Sequence, residues 1–160
     1  MGPANSRVDA RLAELGLTLP DVAAPLAAYV PAVRSGAHVH TSGQLPFVSG
    51  ALPATGKVGV GAGLVPPERA AELARTAALN GLAAIRALVG DLDAVVRVVK
   101  VTGFVASDPA FTGQPAVVNG ASELLGQVFG EAGVHARSAV GVAVLPLDSP
   151  VEVEIVVELG

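Results

Sequence analysis

The stretch AVVRVVKVTGFVAS, Ala94 to Ser107, carries β-branched residues at consecutive positions, so both of its faces are apolar. A run of this kind reads as a strand covered on both sides; a half-exposed strand would alternate apolar with polar residues. A second stretch, HARSAVGVAVLPLDSPVEVEIVVEL from His135 to Leu159, reads as two further strands joined by a turn, a hairpin. Two long helical patterns are available as cover. One opens at Pro67 with Glu68 in its first turn, repeats through Ala71, Ala74, Ala78, Leu82, Ile85 and Val89, and stops at Gly90. The other, PAVVNGASELLGQVFGE, has an apolar stripe of Val117, Val118, Ala121, Leu124, Leu125, Val128 and Phe129, with Gly133 as its stop. Two helices cover one face of a sheet. Val96, Val98, Val99 and Val101, together with Val140, Val142 and Val144, make both faces apolar, so a second copy of the chain is the expected cover for the other.

The remaining elements are short. Ser6 caps a helix over Arg7 to Leu15 that Gly16 ends. A Pro-punctuated, extended segment follows, then HVHTSGQLP, a strand running into a Gly turn. VSGALPATGKVGVGAGLVPP is a long Gly- and Pro-rich loop. The order helix, strand, strand, long helix, strand, helix, strand, strand describes an α+β domain with one mixed sheet. A chain of 160 residues suits one such domain. Half of its residues are hydrophobic but only 3% are aromatic, so the core is built from Ala, Val and Leu.

Net charge is −4, and no basic run or basic–aromatic stripe is present, which argues against a nucleic-acid partner. The absence of cysteine removes disulfides, thiolate chemistry and Cys-based zinc sites. No apolar run approaches transmembrane length and no signal-peptide pattern opens the chain; a cytoplasmic location and no membrane partner are the expectations. Met1, Gly2 and Ser6 match a myristoylation spacing, read here as coincidence because Pro3 constrains the backbone to be gripped.

GALPATGKVG departs from a phosphate-binding loop: one extra residue precedes Gly56-Lys57, and Val58 stands where a magnesium-binding hydroxyl belongs. His38 and His40 share a strand face and could join His135 around a metal. No carboxylate falls at a matching position, so structural roles are expected and no metal. Ser42 in TSGQ lacks the spacing of a nucleophile elbow.

The charges of the C-terminal stretch carry more. By strand alternation Arg137 shares a face with Ala139, Gly141 and Ala143, all small. Glu152, Glu154 and Glu158 share a face of the last strand, opposite Val151, Val153, Ile155 and Val157. Two readings stay open. The acids are a solvated face and Arg137 a surface ion pair, or the room beside Arg137 admits a planar carboxylate to its fork.

RSAVGVAVLPLDSPVEVEI resembles the C-terminal signature of the YjgF/RidA family, reactive-intermediate enamine/imine deaminases also labelled L-PSP endoribonucleases. PLAAYVPAVRSGAHVHTSGQLP, TGKVGVG, AALNGLAAI and FVASDPAFTGQPAVVN agree in order. The resemblance implies a chorismate-mutase-like domain over residues 25–160, with residues 1–24 as a helical extension. It further implies two main helices on one face of a mixed sheet and a homotrimer whose sheets form a central barrel, with clefts between subunits. It gives Arg137 the substrate carboxylate and Glu152 the water, and places Tyr29, Gly43, Asn119 and Ala139 around the substrate. The implied reaction is hydrolysis of 2-enamine or 2-imino acids to 2-keto acids and ammonium. A protonated imine is already electrophilic, so no cofactor is expected. Ala139 departs from the family's cysteine, and Gly141 from a common acidic residue. These departures keep a non-catalytic carboxylate-binding or chaperone-like trimer as the alternative, with the ribonuclease last.

Overall fold

The computed structural model describes residues 6–22 and 28–160. The Met1–Gly2 spacing and the expected boundary between residues 24 and 25 lie outside them. Helix α1 spans Arg7–Glu14, strand β1 Ala32–Ser35, β2 His38–Thr41, helix α2 Pro67–Val89, β3 Val95–Ala106, helix α3 Gln114–Phe129, β4 Ala136–Val142 and β5 Val151–Leu159. Among the described residues the strands form one mixed sheet in the order β1-β2-β5-β3-β4. Only the β3–β4 pair is parallel, and α3 supplies the crossover that a parallel pair requires.

The hairpin expected at the C-terminus is not there. β4 and β5 flank β3 on opposite edges, joined by a one-turn 3-10 helix at Pro146–Asp148. β3 is the longest strand and both of its edges need partners. It pairs Val101 with Arg137 on one side and Val101 with Ile155 on the other. An apolar strand buried in a sheet cannot leave one row of N–H and C=O groups unpaired, so β3 takes the place between the two.

Both main helices lie on one face, as expected. The stripe Val117, Val118, Ala121, Leu124, Leu125 and Val128 is buried, as are Ala74, Ala78, Leu82 and Ile85 of α2. Close approach comes from glycine. Gly81 of α2 sits on Ile155 of β5, and Gly103 of β3 receives the Val118 side chain of α3. The helices cross at Gly120, where a methyl group would overlap the Ala71 carbonyl. Backbone cannot retreat as a side chain can, so Gly120→Ala is expected to force α2 and α3 apart. We expect a loss of about 2 kcal/mol, within the range for overpacked cores, read as a lower denaturant midpoint.

The other face is less apolar than the sequence suggested. Val98 and Val101 lie under the helices, and β5 alternates buried with half-buried positions. The uncovered face carries Val33, His40, Val156, Phe104 and Val140 among Glu152, Glu154 and Glu158. Val33 and Val140 are 53% and 41% exposed.

The N-terminal helix is tied down at its start. Ser6 caps it, and Asp93 accepts from the backbone N–H groups of Arg7 and Val8 at 2.8 Å each. Those bonds to the charged form hold the Asp93 carboxyl below its ordinary pKa. Arg86 of α2 pairs with Asp9 at 2.9 Å. No helix of the described residues is long and apolar enough to cross a membrane.

Candidate active site

The residues singled out from the sequence fall into two groups on opposite faces of one sheet. Arg137 pairs with Val101, whose side chain is buried beneath the helices, so Arg137 points to the helix face. There its guanidinium meets α3. Nη1 donates to Asn119 Oδ1 at 2.7 Å and to Ser122 Oγ at 3.2 Å, and Nη2 to the Pro115 carbonyl at 3.4 Å. Ala139, two residues on, shares this face and pairs with Gly103.

Three ion pairs occur among the described residues, Arg11–Glu14, Arg69–Glu72 and Arg86–Asp9, and Arg137 is in none of them. The surface ion-pair reading of Arg137 is therefore corrected. Its hydrogen-bond partners, an amide oxygen, a hydroxyl and a carbonyl, are all neutral. Nη1 has both hydrogens engaged and Nη2 has one. Among the described residues, Nε–H and the other Nη2–H lack an acceptor. A guanidinium with donors to spare can take a carboxylate.

Glu152 belongs to the second group. Its strand neighbours Val151 and Val153 are buried on the helix face, so Glu152 faces the other way. Burial, then the charge of Glu154 two residues on, raises its carboxyl above the ordinary pKa of a glutamate. Gly43 lies against it: a methyl group there would overlap the carboxylate. The TSGQLP motif is what holds Gly43 in place. Thr41 Oγ1 accepts from Ile155 N at 3.0 Å, and Gln44 exchanges backbone bonds of 2.8 and 3.0 Å with Val153. Asn80 of α2 donates to the carbonyls of Leu45 and Phe47. Ser42 bonds to the carbonyls of Val30 and Pro31, which brings the segment bearing Tyr29 alongside; Tyr29 itself is 61% exposed.

Arg137 and Glu152 therefore do not meet within one chain. The register sets them three residues apart along the strands and two strands apart across them, about 10 Å in each direction. The sheet itself stands between their side chains.

The three histidines do not assemble. His38 and His40 lie exposed on β2, whereas His135 bonds to Ser122 and to the Gly133 carbonyl. Ser122 was passed over in the sequence, although two signals pointed to it and to His135. Ser122 is three residues from Asn119 on one helix, hence on its side. His135 is two residues before Arg137, hence on its face if the strand is extended backwards.

Three comparisons bear on this geometry. Residues 9–159 match the family described as "YjgF/chorismate mutase-like, putative endoribonuclease". The chain is 48% identical to Protein TCP17 of Trypanosoma cruzi over 160 residues, 98% of this chain and 97% of that protein. The crystal structure of Atu1372 from Agrobacterium tumefaciens, a protein of unknown function, is 47% identical and superposes with a TM-score of 0.87, covering 96% of this chain and 93% of that one. A Shewanella oneidensis protein whose crystal structure carries an endoribonuclease label is 33% identical, with a TM-score of 0.89 over 97% of this chain and all of that one.

Proposed function

Because the chain belongs to the YjgF/chorismate mutase-like family, we propose that it hydrolyses 2-enamine or 2-imino acids to 2-keto acids and ammonium. The observation that carries this reading is the pairing of two groups: a guanidinium held by neutral partners only, and a half-buried carboxyl with a raised pKa. A 2-imino acid needs both. Arg137 holds its carboxylate and fixes the imine carbon. Glu152 takes a proton from water as the oxygen bonds to that carbon, giving a carbinolamine. The proton then passes to the nitrogen, the C–N bond breaks, and Glu152 takes the hydroxyl proton as the ketone forms and ammonia leaves, to be protonated to ammonium. A carboxyl with a raised pKa is suited to both halves of this exchange, because it accepts and returns a proton with little penalty.

The two groups face opposite ways, so the reading includes a cleft between copies of the chain, one giving Arg137 and the next giving Glu152. A homotrimer closes such a ring with every cleft equivalent. It also covers the partly apolar sheet face that the helices leave open.

The test uses imines generated in situ by an amino-acid oxidase. Added protein should accelerate keto-acid release above the spontaneous rate. Release unchanged across several imino acids overturns the reading. The departure at Ala139 favours a second function, carboxylate binding without turnover; calorimetry showing a bound keto acid alongside an unchanged rate would select it. The endoribonuclease wording describes relatives, and a net charge of −4 with 3% aromatic residues weighs against RNA here.

A further inference from the structure

We propose that Ser122 and His135 form a relay that sets the orientation of Arg137, making them positioning residues for the substrate carboxylate. This rests on the reading that Arg137 grips that carboxylate. The relay works with the imidazole as a single Nδ1–H tautomer, and the Gly133 carbonyl selects it. His135 Nδ1 lies 2.6 Å from the Gly133 carbonyl oxygen. A carbonyl only accepts, so Nδ1 carries the hydrogen, and Nε2 of the neutral ring is left as an acceptor. Ser122 Oγ lies 2.8 Å from Nε2 and must donate to it. With its one hydrogen spent there, the hydroxyl presents lone pairs to Arg137 Nη1 at 3.2 Å. Asn119 Oδ1 takes the other Nη1 hydrogen at 2.7 Å.

The relay matters because a helical serine has a competing choice. Left alone, its hydroxyl bonds to the carbonyl one turn back on its own helix, and its lone pairs turn with it. His135 removes that freedom. Two acceptors on Nη1 then define the guanidinium plane, which leaves Nε–H, unpartnered among the described residues, for the anion. Preorganisation of this kind lowers the cost of binding a planar anion and leaves the chemistry at the imine carbon untouched.

The experiment titrates the full chain and its variants with 2-oxobutanoate by calorimetry and measures imine turnover in parallel. Ser122→Ala, a helix-favouring change, should raise both Kd and KM about tenfold, the loss expected for one hydrogen bond to a charged group, with kcat within twofold. His135→Ala should do the same. The double variant should be no worse than either single one, because the two act through one chain of bonds. Ser122→Thr, which keeps the hydroxyl, and His135→Gln, which keeps an acceptor near Nε2, should restore affinity. Wild-type affinity in Ser122→Ala, with binding lost in Arg137→Ala, overturns the relay and leaves the role of Arg137 standing. Losses that multiply in the double variant also overturn it. Unchanged binding in Arg137→Ala overturns both the relay and the role of Arg137 on which it rests.

Discussion

Arg137→Ala subunits mixed in equal amounts with Glu152→Gln subunits, and allowed to exchange, are expected to recover about a quarter of wild-type imine hydrolysis. Each variant alone should have lost nearly all of it. Removing the guanidinium takes away a bidentate, charge-assisted pair, and the cost should be on the order of 100-fold or more in kcat/KM. Recovery follows from the sheet. Arg137 is held on the helix face by Asn119 and Ser122, while Glu152 faces away on the other side of β5. If an intact site takes its arginine from one subunit and its glutamate from the next, random pairing of the two variants leaves about one site in four with both groups. If both groups served a site within one chain, no mixture could assemble an intact site. An inactive mixture whose subunits have exchanged, as shown by mass spectrometry of the assembly, rules out the shared cleft.

Glu152→Gln should lower kcat by about 100- to 10,000-fold, the range for loss of a positioned proton carrier, and should also make the protein more stable at neutral pH. The two effects have one cause. Burial and the neighbouring Glu154 raise the Glu152 pKa in the folded chain. The protonated form is therefore favoured on folding. Its contribution to stability is complete below the unfolded pKa of a glutamate and is lost as pH rises through the folded value. The ionised carboxylate sits in a place that resists its charge, and glutamine, neutral and nearly the same shape, removes that strain. The melting temperature should rise with the substitution at pH 7, and the gain should shrink towards acid pH. In turnover, the wild-type rate should climb with pH through an inflection above the ordinary glutamate range, and Glu152→Gln should lack it. A variant that melts lower than wild type at pH 7 and keeps the inflection would remove Glu152 from the proton-transfer role.

Much of the fold was legible because most of its signals are local. Ser6 and Gly16 bracket α1, Pro67 and Gly90 bracket α2, and the spacing of Val117, Val118, Ala121, Leu124, Leu125 and Val128 gives the buried side of α3. The partners of the last two strands were not legible. Alternation marks Ala136–Val142 and Val151–Leu159 as strands, yet the same pattern suits a hairpin and two strands separated by β3. Position in the chain favoured the hairpin. The demand of β3 for a partner on each edge decided otherwise.

The candidate site divides the same way. Arg137 and Glu152 stand out as charges on strand faces, and a family resemblance carried by short motifs gives them roles and adds Asn119 and Gly43. The bonds that make those residues useful join segments far apart in the sequence: Asn119 to Arg137 across 18 residues, and Ile155 N to Thr41 across 114. His135 shows the limit most clearly. A structural role is what the sequence leads one to expect of it, but its partners, Ser122 on the facing helix and the Gly133 carbonyl just before it, are visible only in the fold.

By itself, then, the sequence determined which segments are helix and strand, which side of each helix is buried, and that Arg137 and Glu152 stand on strands. These follow from side-chain periodicity, which every residue reports locally. Only the tertiary structure decided that β3 lies between β4 and β5 and that Arg137 and Glu152 therefore face opposite ways. The physical reason is that backbone hydrogen-bonding edges are alike on every strand. Neighbours are chosen by the packing of the whole sheet against its helices, a sum over contacts that no single stretch of sequence contains.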